Sequence, residues 1–98
     1  MSKYLITWEV DMSRWPTDPK ELGALVIKMG EMVKQDMKEG KTTDWGEFVG
    51  GGKGYAVGEG NALDVYKGLQ RYSPYVTFKV HQALSIDEVM EVVKSMME

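Results

Sequence analysis

The stretch that decides the fold is Glu47–Gly60, E-F-V-G-G-G-K-G-Y-A-V-G-E-G, in which six of fourteen residues are glycine. A glycine run holding a lysine is either a phosphate cradle or a turn. A P-loop needs G-x-x-x-x-G-K-[ST]. Here Lys53 follows Gly52, but the place five before Gly52 is Glu47, and Gly54 stands where the hydroxyl is required. A dinucleotide fingerprint needs G-x-G-x-x-G opening a helix. Starting from Gly50, Gly52 or Gly58, the third place is Tyr55, Val57 or Leu63, so each register fails. The run also leads into a strand-like segment, so no helix dipole is aimed at an anion. Gly58-Glu59-Gly60 does precede a helical pattern, but Glu59 repels anions. A hairpin turn remains, joining a strand over Thr42–Val49 to one over Gly54–Glu59. Glycine's access to positive φ suits it to that task.

Upstream, Lys3 to Val10 alternates, with Tyr4, Ile6, Trp8 and Val10 on one face and Lys3, Leu5, Thr7 and Glu9 on the other. Period two with branched and aromatic residues predicts a strand. A loop follows to Thr17. Asp18 then reads as a helix N-cap, with Pro19 in the first helical position and Glu21 three residues after the cap. Leu22, Leu25, Val26, Met29, Val33 and Met37 recur at helical spacing, and Gly40 is a natural stop. Gly23 and Gly30 fall on one side of this helix, which predicts close packing on a sheet or a partner.

Downstream, Asn61 caps a second helix with stripe Ala62, Val65, Tyr66, Leu69 and Tyr72, ended by Ser73-Pro74. Tyr75 to Leu84 alternates again: Val76, Phe78, Val80 and Leu84 oppose Tyr75, Thr77, Lys79 and His81. Ser85 and Glu88 form a capping box ahead of Ile86, Val89, Met90, Val93, Met96 and Met97. This last stripe needs cover, on its own sheet edge or on a partner chain. The stripe methionines, Met29, Met37, Met90, Met96 and Met97, are expected to fill a core.

The order is β-α-β-β-α-β plus a C-terminal helix. That is the α+β, ferredoxin-like arrangement, a four-stranded antiparallel sheet in the order 4-1-3-2. Residues 1–98 make one domain. Both main helices cover one face of the sheet and leave the other open. With Leu5, Tyr75 and Trp45 or Phe48 there, that face is too apolar to stay wholly wet. Thr43, Trp45, Glu47 and Val49 alternate no better than Asp44, Gly46 and Phe48, so the inward face of the second strand stays open.

The chain carries 12 Lys+Arg against 15 Asp+Glu, a formal charge of -3, and no cysteine. Scattered basic residues argue against nucleic acid as a partner. Disulfides, thiolate metal sites and a thiol nucleophile are excluded. No apolar run approaches the ~20 residues of a membrane helix, and the start lacks a signal-peptide pattern. A cytoplasmic protein without membrane contact is the expectation.

Three segments, K-Y-L-I-T-W-E-V-D, W-G-E-F-V-G-G-G-K-G-Y-A-V-G-E-G and Y-V-T-F-K-V-H, together resemble a family of small domains of unknown function. That family is similar to the dimeric α+β barrel class of ferredoxin-like proteins, with muconolactone isomerase-like enzymes and cofactor-free monooxygenases among its distant relatives. The resemblance implies a homodimer whose open sheet faces enclose a small cavity. It implies no cofactor. Haem-degrading relatives combine an asparagine, a tryptophan and a histidine. The one asparagine here, Asn61, is a helix cap, so that triad does not carry over.

His81 is the single histidine, suited by its ordinary pKa to proton transfer. Glu9 shares its face, and the two form a candidate catalytic pair. The plainer reading is a surface histidine at a strand end. Thr7, Glu9, Trp45, Tyr75, Lys79 and His81 are candidate lining for the cavity. Trp45, Tyr55 and Tyr75 could equally serve the dimer seam or the core. Arg14, in the Arg14-Trp15-Pro16 loop, could bring a guanidinium to a ligand carboxylate, or the loop could simply tuck its tryptophan down. One histidine and no cysteine leave no metal site. Two functions follow: a homodimer binding a small, partly aromatic or apolar molecule between its sheets, or a non-catalytic assembly or ligand-sensing module. Whether the chain is an enzyme stays open.

Overall fold

The computed structural model describes residues 2–98. Strands β1 (Ser2–Val10), β2 (Thr42–Glu47), β3 (Lys53–Gly60) and β4 (Val76–Ala83) form one antiparallel sheet in the order β2-β3-β1-β4. Read from the other edge, this is the expected ferredoxin-like order. Helices α1 (Pro19–Lys38) and α2 (Ala62–Gln70) are the two crossovers, and α3 (Ile86–Met97) follows β4. No helix among the described residues is long and apolar enough to cross a membrane.

Local chemistry sets the boundaries. The carboxylate of Asp18 accepts the Glu21 N–H at 3.0 Å, with Pro19 in the first turn. Asn61 Oδ1 accepts the Asp64 N–H at 2.9 Å. Ser85 and Glu88 complete a reciprocal capping box. The glycine triplet needs its composition: Gly50, Gly51 and Gly52 have φ of 121°, 81° and 80°. Three successive residues in that region exclude ordinary side chains. β2 stops at Glu47, two residues earlier than the pattern predicts, because Phe48 and Val49 enter the turn. The turn closes through Phe48 N–H to Lys53 O at 2.8 Å and Gly51 N–H to Phe48 O at 3.0 Å. Gly52 O also accepts the Val10 N–H at 2.8 Å, tying the loop to the end of β1.

The sheet's two faces differ. Tyr4, Ile6 and Trp8 of β1 and Ala56 of β3 are buried toward the helices, with Val65 and Leu69 of α2 and Phe78 of β4 packed around Tyr4, Ile6 and Ala56. Glycines make room for large neighbours. A Cβ on Gly54 would collide with the Trp8 indole and the Gly46 carbonyl, and one on Gly46 would collide with the Tyr55 ring at 2.6 Å. Gly23 and Gly30 differ, since no described residue outside their own stretch of helix lies within 4 Å of a Cβ built there. No contact among the described residues uses their small size.

The hydrophobic interior is small. Among the described residues, Tyr4, Ile6, Trp8, Ala56 and Tyr72 are the buried apolar ones, while Val26 and Ile27 of α1 are half exposed or more. α3 makes no substantial contact with any other described element. Its Met90, Met96 and Met97, expected in a core, are therefore exposed, Met97 by 83%. The chain is elongated, 62 × 25 × 22 Å, with a radius of gyration of 16.4 Å. A compact chain of this length has roughly 13 Å.

Candidate functional site

The uncovered sheet face is the first candidate. Register places Leu5 beside Val57 and His81, Thr7 beside Tyr55 and Lys79, and Glu9 beside Lys53 and Thr77. Side chains at paired positions share a face. A shallow hollow of about 250 Å³ lies here, lined in part by Thr7, Glu9, Phe48, Lys53, Thr77 and Lys79. Lys53 Nζ lies 3.6 Å from a Glu9 carboxylate oxygen, a solvated ion pair of small energy. Thr77 Oγ1 donates to Glu9 O at 3.3 Å. Phe48 stacks on Tyr55 with ring centroids 6.3 Å apart, and Tyr55 Oη donates to Asp44 Oδ2 at 3.1 Å. Donation to that carboxylate holds the Tyr55 phenol above its ordinary pKa.

The predicted site residues divide. Thr7, Glu9 and Lys79 meet at the hollow. His81 does not join them. It pairs across from Leu5, four residues along β1 from Glu9, a separation of roughly 13 Å at about 3.3 Å per residue. The His81–Glu9 pair is not assembled within the chain, because sharing a face does not make two residues neighbours. Trp45 is on the opposite face: it pairs with Ala56 and stacks on Trp8 at 5.4 Å and 11°. Phe48 takes the open-face position instead. Tyr75 lies just before β4, its ring edge-on to Trp15 at 6.0 Å, and its carbonyl accepts the Trp15 indole N–H at 2.8 Å. Trp15 is thus the tucked residue of its loop. Arg14 stays exposed, 4.0 Å from Asp11, and lines neither cavity.

The larger space is on the other side of the sheet. An open groove of about 1240 Å³ runs between α1, α2 and the strands. Its walls include Ile6, Trp8, Trp45, Val26, Met29, Val33, Leu69 and Phe78, and are mainly apolar. At one end Asp36, the buried acid of α1, accepts from Tyr72 Oη at 3.1 Å and pairs with the Arg71 guanidinium. Burial, with the Asp36 charge and hydrogen bond adding to it, holds the Tyr72 phenol well above its ordinary pKa. The cluster pins the end of α1 to the turn after α2. Sequence reading missed it. The available signal was Asp36 at i+3 from Val33 and i+7 from Met29, an acid placed on an apolar stripe.

No family model matches the chain, and no curated protein is detectably similar to it.

Proposed function

We propose that this chain is a non-catalytic, self-associating module, a homodimer as its resemblance to the dimeric α+β barrel class implies. One observation carries the reading. The apolar surface left uncovered, Val26 and Ile27 of α1, Leu5 of the sheet and the whole stripe of α3, outweighs the small interior the chain builds alone. Exposed apolar surface of this extent marks a protein interface. Equilibrium sedimentation across micromolar concentrations tests it. The expected species is a homodimer, and a monomer throughout that range overturns the reading.

A second reading, small-molecule binding, has its own observation. Thr7, Glu9, Lys53, Thr77 and Lys79 converge around an aromatic wall, Phe48, at the sheet-face hollow. That mixture of polar groups and one apolar side suits a small aromatic carboxylate, with Lys79 meeting its charge while Lys53 stays paired with Glu9. Thermal-shift titration with such acids should stabilise the chain. Lys79→Ala should remove the shift while leaving unliganded stability unchanged, because Lys79 is exposed. Equal shifts in both proteins would rule that site out.

A further inference from the structure

Two apolar features of this chain lack cover, and their volumes are similar. The first is α3, whose stripe Ile86, Val89, Met90, Val93, Met96 and Met97 is exposed from end to end. It is the most completely capped helix of the molecule, yet touches nothing of substance. A helix of 12 residues is marginal in water without tertiary packing. Its sequence therefore calls for a surface to lie on. The second is the groove of about 1240 Å³ beside α1. A helix of this length is about 18 Å long, and a cylinder of that length and about 10 Å diameter encloses roughly 1,400 Å³. Gly30 stands in the groove wall, with space where its side chain would be. A small residue there lets an incoming helix approach α1 closely.

We propose that α3 of one copy docks in the groove of a second copy, giving a helix-exchanged homodimer. The proposal rests on the self-association reading and names its surfaces. Within its own chain α3 does not enter the groove, since it makes no substantial contact with any other described element. A second copy can bring its groove to the exposed stripe. Exchange is reciprocal in a two-fold dimer, so each contact occurs twice. Six stripe residues at roughly 60–120 Å² each, doubled by symmetry and matched by the groove walls, bury on the order of 1,500 Å² or more, the size of a stable interface.

The chain has no cysteine, so introduced thiols report alone. Val26→Cys lies in the groove wall and Val89→Cys or Val93→Cys on the stripe, one helical turn apart. Oxidation of Val26→Cys/Val89→Cys or Val26→Cys/Val93→Cys should give a covalent dimer on a non-reducing gel, reversed by reductant. A covalently closed monomer overturns the proposal by placing α3 in its own groove. A dimer by sedimentation with no bridge in either pair overturns it while leaving self-association standing, whereas a monomer removes both. In a second assay, Val93→Glu should weaken dimerisation at least 100-fold, and Val57→Glu on the opposite sheet face should leave it unchanged. The reverse pattern assigns the dimer to the open sheet faces and overturns helix exchange.

Discussion

Helices α2 and α3 show how little a helix's own sequence says about where it goes. α2 is nine residues, capped by one asparagine, and it packs Val65 and Leu69 against Tyr4, Ile6 and Ala56. α3 is longer, carries a complete capping box and has the cleaner apolar stripe, yet it projects from the body. The difference is connection. α2 lies between β3 and β4, and both of its ends are anchored in the sheet. A right-handed crossover leaves it no place but the sheet face. α3 follows the last strand of the sheet and is not held between two of its strands, so packing must decide its position, and it finds no substantial contact among the described elements.

That contrast can be broken from the α2 side first. Ile6→Ala removes a side chain only 4% exposed from the cluster that receives α2, and should cost about 3 kcal/mol in urea unfolding. Val93→Ala on α3, measured where the chain is dilute enough to be monomeric, should move stability by less than about 0.5 kcal/mol. Equal costs would mean that α3 is packed within its own chain.

A smaller effect is expected at the clamp between α1 and the end of α2. Asp36→Ala strands the Tyr72 hydroxyl and leaves Arg71 without its partner. The Arg71 side chain is 43% exposed and stays hydrated, so the loss should be about 2 kcal/mol rather than the larger cost of a wholly buried pair. Tyr72→Phe should recover most of that stability in an Asp36→Ala background, because it removes the stranded donor. An additive double variant would show that the pair is not coupled.

The smallest effect concerns α3 alone. Hydrogen bonds from the Ser85 backbone N–H, and then from its hydroxyl, hold the Glu88 carboxyl below its ordinary value of 4.5. A depressed carboxylate supports the folded helix above the unfolded pKa, and that support is lost as pH falls through the folded pKa. Far-UV circular dichroism should therefore show helicity declining below about pH 4.5. Glu88→Gln should flatten that decline, and an unchanged acid profile would remove Glu88 as its cause.

Much of the fold was legible because it is written locally. Asp18-Pro19, Asn61 and Ser85 start their helices where the sequence places them, since a cap is a contact between near neighbours. The hairpin was legible because three successive positive φ values admit little but glycine. The candidate site was less legible. Thr7, Glu9 and Lys79 could be assigned to one face from alternation, but their distances could not. His81 falls away because register, not periodicity, sets its neighbour as Leu5. Trp45 was ambiguous because β2 is an edge strand with a register shift between Thr42 and Asp44, and its pattern is polar on both faces. Asp36 was invisible because its partners lie 35 and 36 residues away.

The order of elements, their caps, the glycine turn and the pairing order of the sheet were already written in the residues. All of these follow from contacts between near neighbours or from the handedness of crossovers. Only the tertiary structure decided which residues meet: Trp8 over Gly54 against Trp45, Asp36 with Arg71 and Tyr72, His81 apart from Glu9. It also decided that α3 packs on no other described element while an apolar groove lies open beside α1. An apolar stripe specifies that a helix will be covered; tertiary packing specifies by what.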